Sequence, residues 1–480
     1  MKKIYLYTIA SALTLFGAGC NKVKDFGDVN NNPGATVTPI PSALLSNVEA
    51  GLGGYASTGT EAISGGQYAQ YFTETQYSGT SLYNLPQNSF AGNYGGNLNN
   101  LQIIIRLNPN KNMVNVAKIL QQYIFWIMTD SWGDIPYSEA LQGSSNILPK
   151  YDAQQDIYKG MLSTLTTTIN SFDSSPISGD LIYGGDVASW KRMANSLKLL
   201  IAVQMSKVAS VSALGSTSVK EAIASGVIEN NDQNFTLKYP GGPYKSPWWN
   251  LYNGRKDFAE AKTLTDYTAS TSDPRQVYFG GESEQAGNLN TSNIGVPYGL
   301  ARLAVTAFTD ANPKWARVLR GDKRLENGSV TLITAAEIWL ARTEAVQLGW
   351  APVGETGGAD FTKGTGWSFD QWGLTYAAGV AFAKGLNGGS DTVTPGIELI
   401  STQRWVASYP DGHMAWDIWR KSGFPHLTPA PDHTNSSGQI VRRFVYVPDE
   451  YSTNGKNVTA AAARMGGDSQ DTKVWWDGGN

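Results

Sequence analysis

Five stretches of this chain carry apolar residues at helical spacing, and they constrain its fold more than any other feature. Met113, Val116, Leu120, Tyr123, Ile124 and Ile127 fall on one face of a helix. Tyr158, Met161, Leu162, Leu165 and Ile169 form a second stripe, and Asp152 and Gln155 stand ahead of it at capping-box spacing. Trp190, Met193, Leu197, Ile201, Met205 and Val208 form a third. Thr334 and Glu337 make a clear capping box before Ile338, Leu340, Ala341, Ala345 and Leu348. Ser42 is placed to cap a shorter helix with Leu44, Leu45 and Val48. An amphipathic helix must bury its apolar stripe against another element. The pattern therefore predicts a mainly α body, and helices of similar length suit a stack of helical pairs with degenerate sequence. At 480 residues the chain can bury a large core.

The single cysteine carries a second message through its position. Lys2 and Lys3 begin the chain, and Ile4 to Gly19 is uncharged and mostly apolar or small. The run closes on Leu15-Phe16-Gly17-Ala18-Gly19-Cys20. A short basic start, a short apolar stretch and small residues before a cut describe an export signal and are too short for a spanning helix. Small residues directly before a cysteine resemble the bacterial lipoprotein signal, in which Cys20 would become the acylated first residue of the mature chain. Gly17 stands where such signals more often have Leu. The expected organisation is a signal over 1–19, a lipidated tether over 20–41 rich in Asn, Gly, Pro and Thr, and a folded body over 42–480.

Two loops stand out by composition. Gln76 to Ile105 is a run of 30 residues without a charge, holding Tyr77, Tyr83, Phe90, Tyr94 and six Asn, among them Asn88. Asn288 to Gly299 is also uncharged and contains Tyr298. Flat rings and neutral amides suit a polyhydroxylated ligand, because rings stack on C–H faces while amides both donate and accept. A lone charge in a partly buried site is costly. A third candidate is the pair Trp248 and Trp249, with Tyr252, after the turn-rich Tyr239-Pro240-Gly241-Gly242-Pro243. The competing reading is that these rings pack the loops onto the body.

Several motifs, taken in order, resemble the SusD/RagB family of outer-membrane lipoproteins from Bacteroidota. They are Asp130-Ser131-Trp132-Gly133-Asp134-Ile135-Pro136-Tyr137, then Asp180 to Asp186 leading to Trp190, then Thr334 to Ala345. Trp416-Asp417-Ile418-Trp419-Arg420, Arg442-Arg443-Phe444, Pro448-Asp449-Glu450 and the terminal Trp475-Trp476-Asp477 follow. The resemblance implies a single large domain, mainly α, with tetratricopeptide-like helix pairs beside a loop-rich ligand-binding face. It also implies capture of a nutrient, usually an oligosaccharide and otherwise a peptide, for a SusC-like TonB-dependent transporter. Trp132, Asp134, Trp416, Arg420, Arg443, Trp475 and Trp476 are then scaffold residues that fasten the C-terminal segment by stacking and ion pairing. The acidic tag that directs such lipoproteins to the cell surface is weak here, with only Asp25 among the five residues after Cys20.

Other classes are excluded or disfavoured. A total of 37 Lys and Arg against 40 Asp and Glu leaves a net charge of −3, which does not suit nucleic acid. One Cys and three His argue against a resident zinc site, and no cofactor is expected. Asp28, Asn30 and Asn32 open like a calcium loop, but Pro33 occupies the glycine position. There is no zinc-protease motif, nucleophile elbow or phosphate loop, so a non-catalytic binding protein is expected. A lipoprotein glycoside hydrolase would need two carboxylates across a cleft, which spacing alone does not reveal.

Overall fold

The computed structural model describes residues 38–479, so the export signal, Cys20 and most of the tether lie outside the described residues. From Pro41 onward the chain forms one compact unit. In order it forms α1 (Pro41–Leu52), α2 (Thr60–Tyr68), α3 (Asn99–Leu107), α4 (Lys111–Trp132), α5 (Gln154–Ile169), α6 (Val187–Gln204) and α7 (Ser212–Ser225). The short α8 (Pro247–Asn250), α9 (Lys262–Thr271) and α10 (Arg302–Ala311) follow. The last group is α11 (Ala335–Gln347), α12 (Gly357–Gln371), α13 (Tyr376–Leu386), α14 (Ile397–Ala407), α15 (Gly412–Ser422) and α16 (Pro448–Arg464). Helices α4 and α5, α6 and α7, α11 and α12, and α14 and α15 pack as consecutive pairs. The pairs join through α5 on α6, α6 on α11 and α11 on α14. The body is thus mainly α, as the helical stripes predict, and a single domain, as the family resemblance implies.

Helix α4 forms the axis of the core. All six residues of its predicted stripe are buried, each large side chain contributing about 1.5–3 kcal/mol. Asn110 caps it, its Oδ1 accepting the Met113 N–H at 2.9 Å. Thr334 caps α11 as expected, accepting the Glu337 N–H at 3.0 Å. Two other expected caps do not form. Ser42 lies inside α1, which begins at Pro41, a residue suited to a first helical turn. Asp152 does not cap α5 because its carboxylate accepts N–H groups of Tyr137 and Ser138 at 3.1 and 2.7 Å, and Asp134 Oδ1 accepts the Gln154 N–H at 2.8 Å instead.

Strand content among the described residues is three antiparallel two-stranded ribbons. β1 (Phe72–Glu74) pairs with β3 (Phe258–Glu260), with Phe72 opposite Glu260. β2 (Phe235–Lys238) pairs with β6 (Ser329–Ile333), and β4 (Gly280–Gly281) with β5 (Arg317–Val318). The first ribbon launches the uncharged loop from β1 and holds the segment before β3 beside it.

The C-terminal segment is locked across α4 and α15. Arg420 lies over the rings of Trp416 at 3.6 Å and Trp476 at 4.8 Å, pairs with Asp417, and donates to the carbonyl oxygens of Asp130 and Arg442 at 2.7 and 2.8 Å. The Trp476 indole N–H donates to Asp130 Oδ1 at 2.8 Å. Arg443 reaches the Trp132 carbonyl and Asp468, and Asp134 pairs with Arg464 at 2.6 Å. Trp475 packs edge-on against Tyr158. The conspicuous Trp, Arg and Asp residues of the motifs therefore act as fasteners.

A candidate ligand groove beside Tyr77

After β1 the chain enters a loop that is pinned at close intervals. Glu74 accepts the N–H groups of Thr80 and Ser81 at 2.8 and 3.0 Å, closing the first turn. Burial nevertheless pushes the Glu74 carboxyl up to about 7, against the lowering effect of those N–H groups. The Asn84 N–H returns to the Gly79 carbonyl at 2.9 Å, and the Val445 N–H reaches the Pro86 carbonyl at 3.2 Å. Between these pins lies an open groove of about 530 Å³. Tyr77, Thr80, Asn84, Gln87 and Asn88 line it, with Tyr68 and Glu74 at its inner wall. Tyr77 is 65% exposed, and the Arg255 guanidinium sits 5.5 Å from its ring centre. The Thr75 N–H donates to the Asp257 carbonyl at 2.8 Å, which holds this arginine segment against the loop. The groove thus offers one open ring face, a cation at its edge and several neutral amides.

The other predicted ligand rings lie elsewhere, and five of them are buried, among them Tyr252, whose hydroxyl donates to the Phe258 carbonyl at 2.8 Å. Tyr83 takes a left-handed backbone conformation, φ 63°, and turns inward. Its ring packs near Tyr68 and Tyr298, and its hydroxyl accepts the Ala430 N–H at 2.9 Å. Phe90 is enclosed by Trp132, Tyr94, Tyr151 and Tyr446. Trp248 packs on Phe72, and Tyr298 is buried beside Tyr83. These rings serve packing, and none of them lines the groove beside Tyr77. Tyr94 is half-buried, with its hydroxyl on the Pro136 carbonyl and its ring near Phe125.

Trp248 and Trp249 separate because α8 is helical, where neighbours point about 100° apart. Trp249 remains half-exposed under the Lys245 ammonium, 3.8 Å from its ring centre. The sequence reading missed Tyr244 and Arg255. Tyr244, 65% exposed, is displayed by a tight turn in which it exchanges backbone hydrogen bonds with Gly241. The glycines of that turn were a usable signal. Arg255 had none, because charge-free composition was the criterion for a site. The second half of the uncharged run is also not loop, since it forms α3 and the turns that lead into it.

No group of three or more His, Cys, Asp or Glu among the described residues could hold a metal ion. No helix among them is long and apolar enough to cross a membrane.

Stacked helix pairs beside a pinned loop face with an open groove define a helical-repeat fold. The SusD-like family, described as starch-binding and associating with the outer membrane, matches residues 31–447, and the chain belongs to it. Among solved structures, a chitin-binding protein is 26% identical with a TM-score of 0.76, covering 92% of this chain and 100% of that one. A SusD homologue from Bacteroides uniformis is 25% identical with a TM-score of 0.77, covering 91% and 99%. A chitin-binding SusD homologue from Flavobacterium johnsoniae shares the fold at 23% identity and a TM-score of 0.75, covering 91% and 98%. No curated protein sequence matches the chain.

Proposed function

We propose that this protein is a lipid-anchored, non-catalytic receptor of the outer membrane that captures a neutral oligosaccharide and passes it to a SusC-like TonB-dependent transporter. The observation that carries the reading is the groove, which the exposed Tyr77 ring lines together with Asn84, Gln87 and Asn88. Tyr77 stacks on one sugar face, the amides bond its hydroxyls, and Arg255 donates to ring or acetamido oxygens at the edge. Trp249 and Tyr244 extend the contact for a longer chain. The family description and the chitin-binding neighbours support a glycan over a peptide. Acyl chains on Cys20 keep the receptor at the membrane, facing outward, so that a captured ligand stays near the transporter.

Isothermal titration with chito- and malto-oligosaccharides tests the reading. At least one series should bind, and Tyr77→Ala should weaken it about tenfold or more without lowering the melting temperature. Binding of peptides alone, or sugar binding indifferent to Tyr77→Ala and Asn88→Ala, would refute it. Globomycin treatment should leave the precursor uncleaved, and Cys20→Ala should release the protein from the membrane fraction.

A further inference from the structure

A second cavity lies away from the Tyr77 groove, where four elements meet. The start of α11, strand β6, the end of α12 and the turn from α14 to α15 enclose about 260 Å³. Its wall brings together three polar atoms with no hydrogen-bond partner in the protein: Glu337 Oε1, Gln371 Oε1 and the Trp372 indole N–H. Glu337 is only 4% exposed and Trp372 only 5%. Leaving such groups unmet costs about 1–3 kcal/mol each. A fold that places one donor and two acceptors on the same wall is built to meet something there. Trp248 and Tyr409 supply apolar ring surface on the same wall.

Charge and size narrow the occupant. Asp322 is paired with Arg320 at 2.6 Å and also lies near Lys323, while Asp411 caps α15 by accepting the Met414 N–H. The charged groups of the wall other than Glu337 are therefore already engaged. Burial pushes the Glu337 carboxyl up to about 8, with the Arg404 guanidinium acting against it, so near neutral pH it serves as a neutral acid that can donate or accept. Burial also pushes the Asp411 carboxyl up to about 7, and Lys323 shares Asp322 with Arg320, so a small charged ligand finds no unshared full charge here. Liquid water takes about 30 Å³ per molecule, so the space equals roughly nine waters. Covalently bonded atoms pack closer, and one sugar ring with its hydroxyls fills such a volume.

We propose that this cavity is a binding site for one neutral, ring-sized polyhydroxylated molecule, a single sugar residue, separate from the groove that holds the oligosaccharide. The indole N–H of Trp372 donates to a ligand hydroxyl, Gln371 Oε1 accepts from a second, and Glu337 bonds a third, with the sugar's C–H face toward the rings.

The test uses the full-length protein in a sugar-free detergent, with its indole nitrogens labelled and the Tyr77→Ala change present to silence the groove. The Trp372 resonance is identified by its loss in Trp372→Phe. Millimolar glucose or N-acetylglucosamine should shift that resonance, and Gln371→Leu should weaken the titration at least about tenfold. Gln371→Leu should not lower the melting temperature, since its Oε1 has no protein partner, whereas Trp372→Phe also shrinks a ring packed on Phe279, Tyr278 and Tyr409 and serves only to assign the signal. If Trp372→Phe does not fold, a crystal soak of the unaltered protein assigns the site instead. A Trp372 signal indifferent to both sugars, a titration unmoved by Gln371→Leu, or a soak showing only ordered water would overturn the proposal. None of these outcomes bears on oligosaccharide binding at Tyr77, which is measured in the unaltered background.

Discussion

Replacing Arg420 by Met should be among the most damaging single changes to this fold. The guanidinium is fully buried, ion-paired with Asp417, stacked over Trp416 and near Trp476, and bonded to two carbonyl oxygens. Methionine keeps the volume of the stem but removes every polar contact. Asp417 is also fully buried; its remaining cationic partner would be His413, whose Nδ1 lies 3.6 Å away. Burial lowers the pKa of that imidazole below its ordinary value, so it does not supply the missing charge. Removing one member of a buried pair costs about 3–5 kcal/mol. With about 2.1 cal/mol/K of unfolding entropy per residue over roughly 440 residues, a loss of ~4 kcal/mol lowers the melting temperature by about 4 °C. Urea titration followed by tryptophan fluorescence measures the same loss at fixed temperature. Adding Asp417→Asn should recover at least about half of it, because the stranded carboxylate is then gone. The reasoning fails if Arg420→Met costs less than about 1 kcal/mol, or if the two changes simply add.

Three further outcomes follow from particular contacts. A Cβ on Gly412 would meet the Ala62 carbonyl oxygen and the Gly66 nitrogen, both at 2.2 Å, so Gly412→Ala should force α15 from α2 and cost at least about 3 kcal/mol in urea unfolding. Burial, and then the charge of Asp180, push the Glu49 carboxyl up to about 9 from 4.5. An acid whose pKa rises on folding contributes its stability fully below 4.5 and loses it as the pH climbs toward 9. Glu49→Gln should therefore raise the melting temperature at pH 8, by at most about 5 kcal/mol of stability, and change it little near pH 4.5. Trp249→Ala should weaken long oligosaccharides several-fold and leave the shortest binding fragment unaffected, as titration across chain lengths would reveal.

The helices were legible because their signal is local. The stripe of α4 needs only its own spacing, and each of its six residues is buried where the period put it. Caps are less local. Thr334 keeps the Glu337 N–H within its own helix, whereas Asp152 is drawn away by Tyr137 and Ser138, and nothing in the spacing of Asp152 and Gln155 announces those donors. The aromatic residues were the least legible. Tyr77 and Tyr83 share one uncharged loop, yet one ring is open and the other sealed. The difference is a left-handed turn at Tyr83 and a neighbour from Ala430, which is 347 residues distant in sequence. Composition marked the segment that carries the groove but could not choose among its rings.

Under the proposed function the buried rings still have an indirect part in binding. Tyr83 and Phe90 anchor the uncharged loop at two points, and Glu74 closes its first turn. A loop without charge has few strong side-chain contacts of its own, so left unpinned it would lose conformational entropy on capturing a ligand. Ordering each side chain during binding costs about 0.5–1.5 kcal/mol. By meeting that cost in folding, the sealed rings would let the exposed ring of Tyr77 and the amides around it hold the uncharged ligand proposed above. The same residues that fail as a stacking platform thus explain how a small platform can suffice.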